Sequence, residues 1–99
     1  MFVAIVRFPS IKPDQDNEFR EWFNWSTQLL KKSPGFISRR LLAGKDQGYV
    51  AIVEHSRYDT FMAMRSTNKH RLVHEKALSL FNGASKMEFF QEIAVGQKD

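Results

Sequence analysis

The 99-residue chain contains no cysteine. Disulfide scaffolds, thiolate zinc sites, iron–sulfur clusters and thiol nucleophiles therefore lie outside its chemistry. It also lacks a long apolar run. The longest near the N-terminus is Phe2 to Val6, against the roughly 20 residues that a membrane-spanning helix needs. No charged segment followed by an apolar one and a small-residue cleavage site is visible, so a soluble cytoplasmic protein with no membrane partner is expected. Glycine and proline are sparse, at five and three residues. No glycine-rich phosphate loop, dinucleotide fingerprint, nucleophile elbow or recognisable carboxylate pair occurs.

Lys+Arg outnumber Asp+Glu by 15 to 11, a net charge of +4. The basic pairs Lys31-Lys32 and Arg39-Arg40 are short and no RNA-recognition signature accompanies them. They read as solvated surface or interface charge, and no nucleic-acid partner is expected. Aromatic residues reach 13%, with nine Phe and two Trp. So much ring surface in one short domain implies a dense core, an apolar pocket, or a sheet face covered by a partner.

The apolar periodicity predicts strand–helix–strand–strand–helix–strand. Phe2 to Phe8 reads as a strand with two apolar faces. Pro9 to Pro13 reads as a turn, with Pro13 in the first turn of a helix. That helix carries Phe19, Trp22, Phe23, Ser26, Leu29 and Leu30 on one stripe and closes on Lys31 and Lys32. Ser33-Pro34-Gly35 stops it. Phe36 to Leu42 is the second strand, with Arg39 and Arg40 on opposite faces. A hairpin over Gly44 to Gly48 leads to a third strand, Tyr49 to Glu54. A short helix capped by Ser56 or Asp59 carries Phe61, Met62 and Met64. It breaks at Ser66-Thr67-Asn68 and restarts as a helix reaching Phe81, ended by Asn82-Gly83. Met87 to Ala94 is the last strand, and residues 96–99 form a tail behind a single domain of residues 1–95.

The compact solution is α+β and ferredoxin-like, a four-stranded antiparallel sheet with the helices on one face. Val3, Ile5, Val50 and Ile52 would then lie on an open face. A second copy packed sheet to sheet, a homodimer, is the expected remedy.

The segment from His70 to Phe81 carries most of the chemistry. At 100° per residue, His70 and His74 fall within ~40° of each other on the apolar side with Val73, Ala77 and Phe81. Both imidazoles are expected to face the interior, either as satisfied core histidines or on the wall of a cavity. A wall histidine can serve as a base near neutral pH or as an axial ligand to haem iron. As a zinc pair they lack the Glu of HExxH, and His55 and Glu75 are the candidate third ligands; no metal is expected. Trp22, Phe23 and Trp25 on the first helix, with Met62 and Met64, pack as core or wall a pocket for a flat aromatic molecule. Asn24 and Gln28 are candidate polar groups at its rim.

Pro34-Gly35-Phe36-Ile37-Ser38 followed by Leu41-Leu42 resembles the helix-to-strand junction of the antibiotic biosynthesis monooxygenase (ABM) domains. The later order of a strand ending near Glu54, Phe61 on a short helix, and a His-bearing helix is similar too. The resemblance spans residues 2–95 and rests on order and spacing rather than on one motif. It implies a dimeric ferredoxin-like α/β barrel. It also implies one of two activities: cofactor-independent oxygenation of aromatic or quinol-type substrates, or haem binding and breakdown. The haem-degrading branch uses an Asn on the first strand, a Trp on the short helix and a His ten residues later. Val6, Met64 and His74 occupy those positions. Val6 offers no hydrogen bond and Met64 no indole, which argues against haem degradation by that route; haem stays a candidate ligand through His74. The resemblance thus assigns His74 as base or polar anchor, His70 as its neighbour, and Trp22, Phe23, Met64 and Val6 as ligand-binding walls, with no cofactor. The competing expectations are a haem-binding protein and a non-catalytic small-molecule binding or dimerisation module.

Overall fold

A computed structural model describes residues 1–45 and 48–99. The chain runs β1 (Phe2–Arg7), β2 (Ser10–Ile11), α1 (Asp16–Leu30), β3 (Phe36–Ala43), β4 (Tyr49–His55), α2 (Tyr58–Arg65) and α3 (Asn68–Ala77). A 3₁₀ turn (Leu78–Leu80), β5 (Phe81–Asn82) and β6 (Lys86–Gln91) follow. The main sheet has the order β3-β4-β1-β6 with every pairing antiparallel. This is the ferredoxin-like α+β arrangement that the periodicity predicts.

The two faces of the sheet follow from register. Ala4 opposes Val53 and Phe89, while Ile5 opposes Ile52 and Glu88. Phe2, Ala4, Ala51, Val53 and His55 are buried on the inner face, where α1, α2 and α3 cover them. The helices contribute Phe19, Trp22, Phe23, Phe61, Met64 and Val73 to the same core. Trp22 ties α1 to α3, its indole N–H donating to the Val73 carbonyl at 2.9 Å. Val3, Ile5, Val50 and Ile52 share the outer face and are half-buried.

A β-bulge interrupts β3. Phe36 pairs with His55 and Ser38 with Glu54, leaving Ile37 as an extra residue. Ile37 is 50% exposed, and Ser38 also points outward, its hydroxyl donating to the Glu54 carboxylate. The parity of the strand therefore changes after Phe36, so that Phe36, Arg39 and Leu41 all face the helices. Just before it, Gly35 has φ 81°. A Cβ there would lie 2.7 Å from Ser56 Oγ and closer still to Thr60, so glycine is needed for both conformation and space.

The structure corrects several sequence expectations. The Pro9 to Pro13 segment is not merely a turn, because Ser10 and Ile11 pair with Asn82 and Phe81. The same pairing ends the last helix early. Lys12 N–H donates to the Leu80 carbonyl at 2.9 Å, so the helix stops at Ala77 instead of running to Phe81. The first helix starts at Asp16, after Asp14 adopts φ 62°, and Lys31 caps it from outside the last turn. Neither Ser56 nor Asp59 caps α2. Arg57 holds that place, and the Thr60 hydroxyl donates back to its carbonyl at 2.9 Å. The last strand ends at Gln91, short of Ala94. The break between α2 and α3 falls where the Ser-Thr-Asn run predicts. Thr67 is the N-cap, its hydroxyl accepting from the His70 N–H at 3.2 Å. In the Gly44 to Gly48 hairpin, Gly44 N–H donates to the Gly48 carbonyl at 2.8 Å; Asp46 and Gln47 lie outside the described residues. Among the described residues, no helix is long and apolar enough to cross a membrane.

Candidate functional site

Between the inner sheet face and the helices lies a cavity of about 380 Å³, within the range typical of small-molecule sites. Its floor is sheet: Val6 from β1, Arg39 from β3, Ala51 and Val53 from β4, and Met87 from β6. Small side chains at Ala51 and Ala77 leave the space that larger ones would fill. Trp22 of α1 and Phe61 and Met64 of α2 close one side, and His70, Val73 and His74 of α3 form the roof. The lining residues that are solvent-exposed, His74, Leu78 and 83–85, mark where it opens to water.

Five of the six residues singled out from the sequence, Val6, Trp22, Met64, His70 and His74, line this one cavity. The three positions aligned with the haem-degrading branch are therefore brought together in space. Phe23 is buried but is not part of the wall; the Arg39 guanidinium sits 4.2 Å from its ring centroid. Trp25 and Met62 pack against the core from outside the cavity. Asn24 and Gln28 are exposed on α1 and do not reach the rim.

The two histidines differ more than their helical phase suggests. His70 is half-buried, whereas His74 is exposed at the opening. The reason is the early end of α3. Its buried stripe narrows to Val73 and Ala77, and Phe81, which would have widened the stripe toward His74, belongs to a strand. Burial, reinforced by the Arg65, His74 and Arg39 charges, lowers the pKa of His70 to about 4. It is a neutral imidazole at pH 7.

Arg39 is a site residue that the sequence does not single out, because nothing local distinguishes it from Arg40. Its Nη1 donates to the Phe23 carbonyl at 3.1 Å, Ser26 Oγ at 2.6 Å and Thr27 Oγ1 at 2.8 Å. Burial lowers its pKa to about 10, leaving it charged at neutral pH. Arg65 also lines the cavity, and its Nε is buried with no hydrogen-bond partner among the described residues. Among the described residues, no Asp or Glu lines the cavity.

Among the described residues no group of three or more His, Asp or Glu could hold a metal ion, so His55 and Glu75 do not join His70 and His74 in a zinc site. His55 is instead fully buried on the far side of Phe61, its Nδ1 3.1 Å from Thr60 Oγ1. An iron porphyrin would meet an imidazole at His74 and cations at Arg39 and Arg65, but no hydrogen bond at Val6 and no indole at Met64.

No protein-family model and no curated protein sequence matches the chain. Solved structures do. A variant of SnoaB, a cofactor-independent oxygenase from Streptomyces nogalater, is 22% identical, with 95% of this chain and 94% of that one covered at a TM-score of 0.81. A Nitrosomonas europaea protein provisionally described as an antibiotic biosynthesis monooxygenase is 18% identical over 95% and 100% of the two chains, at a TM-score of 0.81. Rv0793 from Mycobacterium tuberculosis is 14% identical over 97% and 98%, at a TM-score of 0.82. The ferredoxin-like α+β fold of the single chain that the sequence resemblance implies is thus the fold observed.

Proposed function

We propose that this chain is a cofactor-independent monooxygenase acting on an electron-rich aromatic or quinol-type small molecule held in the cavity beneath α3. The observation that carries the reading is an imidazole, His74, at the opening of a mostly apolar cavity built from rings and aliphatic side chains. The fold shared with SnoaB and the antibiotic biosynthesis monooxygenases supports it.

His74 takes the proton from a phenolic O–H or ring-activated C–H and, being at the rim, hands it to water. The anion left behind is electron-rich enough to reduce O₂ directly. One electron passes to O₂, the two radicals join in a carbon–oxygen bond, and the hydroperoxide collapses with loss of water. For a ring-activated methylene the balance is R₂CH₂ + O₂ → R₂C=O + H₂O. Carbon gives up four electrons and O₂ accepts four, so no separate reductant enters. Trp22, Met64 and Val6 orient the rings and keep the space dry. His70, neutral at pH 7, serves as a hydrogen-bonding anchor.

An oxygen electrode with a panel of quinols and polycyclic phenols tests this. The expected result is one O₂ consumed per substrate, slowed about 10²-fold or more in His74→Ala, with a melting temperature close to that of the wild type. No uptake above background from any of the panel would overturn the oxygenase and leave a binding module. A Soret band on haemin titration, lost in His74→Ala, would replace it with a haem-binding protein.

A second copy covering the outer sheet face completes the reading. Val3, Ile5, Val50 and Ile52 form a half-buried apolar strip, and Leu42 and Phe90 beside it are 46% and 45% exposed. Covering such a strip is worth about 25 cal/mol per Å² of apolar area. Sedimentation at micromolar concentration should give a dimer that Ile52→Lys dissociates. A stable wild-type monomer would remove the partner.

A further inference from the structure

The cavity is apolar in area but one-sided in charge. Arg39 and Arg65 line it, and among the described residues no carboxylate does. Among the described residues neither guanidinium belongs to any of the salt bridges, which pair Arg7, Arg20, Arg40, Arg57 and Arg71 with acids. All three hydrogen bonds that Arg39 makes come from Nη1. Its Nε and Nη2 N–H groups, which share one edge of the planar guanidinium, make none to the described residues. That edge is spaced to meet both oxygens of a carboxylate. Arg65 Nε is buried without a partner on the same cavity. A buried donor left unpaired is costly, more so when it carries charge. Arg65 Nε is such a group, and with the unpartnered edge of Arg39 lining the same ligand-sized space, both are most simply satisfied by one ligand.

We propose that the cavity selects an aromatic carboxylate, whose carboxylate binds the free edge of Arg39 with Arg65 as a second countercharge and whose rings lie against Trp22 and Phe61. The acid is a recognition group, distinct from the ring position that His74 would deprotonate. This deepens the reading above by naming the substrate's charge. It rests on that reading's ligand cavity and not on its oxygen chemistry.

The test is equilibrium binding by calorimetry at pH 7.5 with two probes of similar ring size, 1-hydroxy-2-naphthoate and neutral 1-naphthol. The naphthoate is expected to bind at least tenfold more tightly. Its advantage should shrink as salt is raised and fall several-fold in Arg65→Gln, while naphthol binding stays unchanged. Arg39→Lys, which keeps the charge but loses the fork, should also lose most of the preference. Equal affinities for the two probes, or no naphthoate binding to the folded wild type, would overturn the proposal. If naphthol binds as well as naphthoate and quinols still consume O₂, the carboxylate preference alone falls. If naphthoate is preferred but nothing consumes O₂, the oxygenase falls and this site stands.

Discussion

Arg40, on the outer face of the sheet, lies 3.9 Å from Glu54 with most of its side chain in water. Arg39, one residue earlier and on the inner face, sits over Phe23 and donates to three uncharged oxygens. The outer pair is screened and contributes little. The inner cation has lost water, and one of its nitrogens donates to three acceptors in the second half of α1. Its removal takes away charged hydrogen bonds, while the Ser26 and Thr27 hydroxyls still donate to the Phe23 carbonyl. The same side chain is surface decoration on one face and structural polarity on the other.

The contrast can be tested across the whole molecule. The largest effect should come from the inner face. Phe61 is buried among Phe2, His55 and Phe89, and Phe61→Ala should cost about 3–5 kcal/mol in urea unfolding. A loss below ~1 kcal/mol would mean that the inner face is not a packed core.

Next comes the pair itself. Arg39→Met should cost about 1.5–3 kcal/mol through its lost charged hydrogen bonds, against no more than ~1 kcal/mol for Arg40→Met. Equal losses would break the comparison.

Acid gives a smaller, graded effect. Burial holds the pKa of His55 below 6.5, and His70 titrates at about 4. The unfolded chain accepts protons from about pH 6.5 downward while the folded one refuses them. Stability is therefore full above that pH and is lost as pH falls toward 4. Melts between pH 7.5 and 5, above the carboxylate range, should show the decline, and His70→Gln should flatten it. A wild-type profile already flat in that window would show that neither imidazole is held neutral.

Much of the fold was legible because its strands and α1 obey simple periods. Phe2, Ala4 and Val6 alternate with Val3 and Ile5, and Phe19, Trp22, Phe23, Ser26 and Leu30 keep one helical stripe. The Ser66-Thr67-Asn68 break was legible as capping chemistry. What was not legible depended on distant partners. Ser10 and Ile11 carry no strand signal of their own and become a strand by meeting Phe81 and Asn82. Leu78 to Phe81 has helical spacing, and Asn82-Gly83 resembles a helix stop, so tertiary pairing had to override local preference. His74 inherited its exposure from that shorter helix. Of the cavity, the apolar walls were foreseeable from Trp22 and Met64. Its charge was not, because the parity of β3 cannot be counted through a bulge that the sequence does not announce.

That bulge solves a problem of odd and even numbers. A strand presents alternate residues to one side, so Phe36 and Arg39, at an odd separation, belong to opposite sides of any regular ladder. Ile37 makes the odd interval behave as an even one, and both residues line the same cavity. A chain of this fold that kept every residue but paired them in a regular ladder would turn either the ring or the cation outward, whereas one that lost Ile37 together with the bulge would keep both inside. The interval between the turn glycine and the inward arginine is thus one residue longer than a regular ladder needs, and Ile37 is that residue.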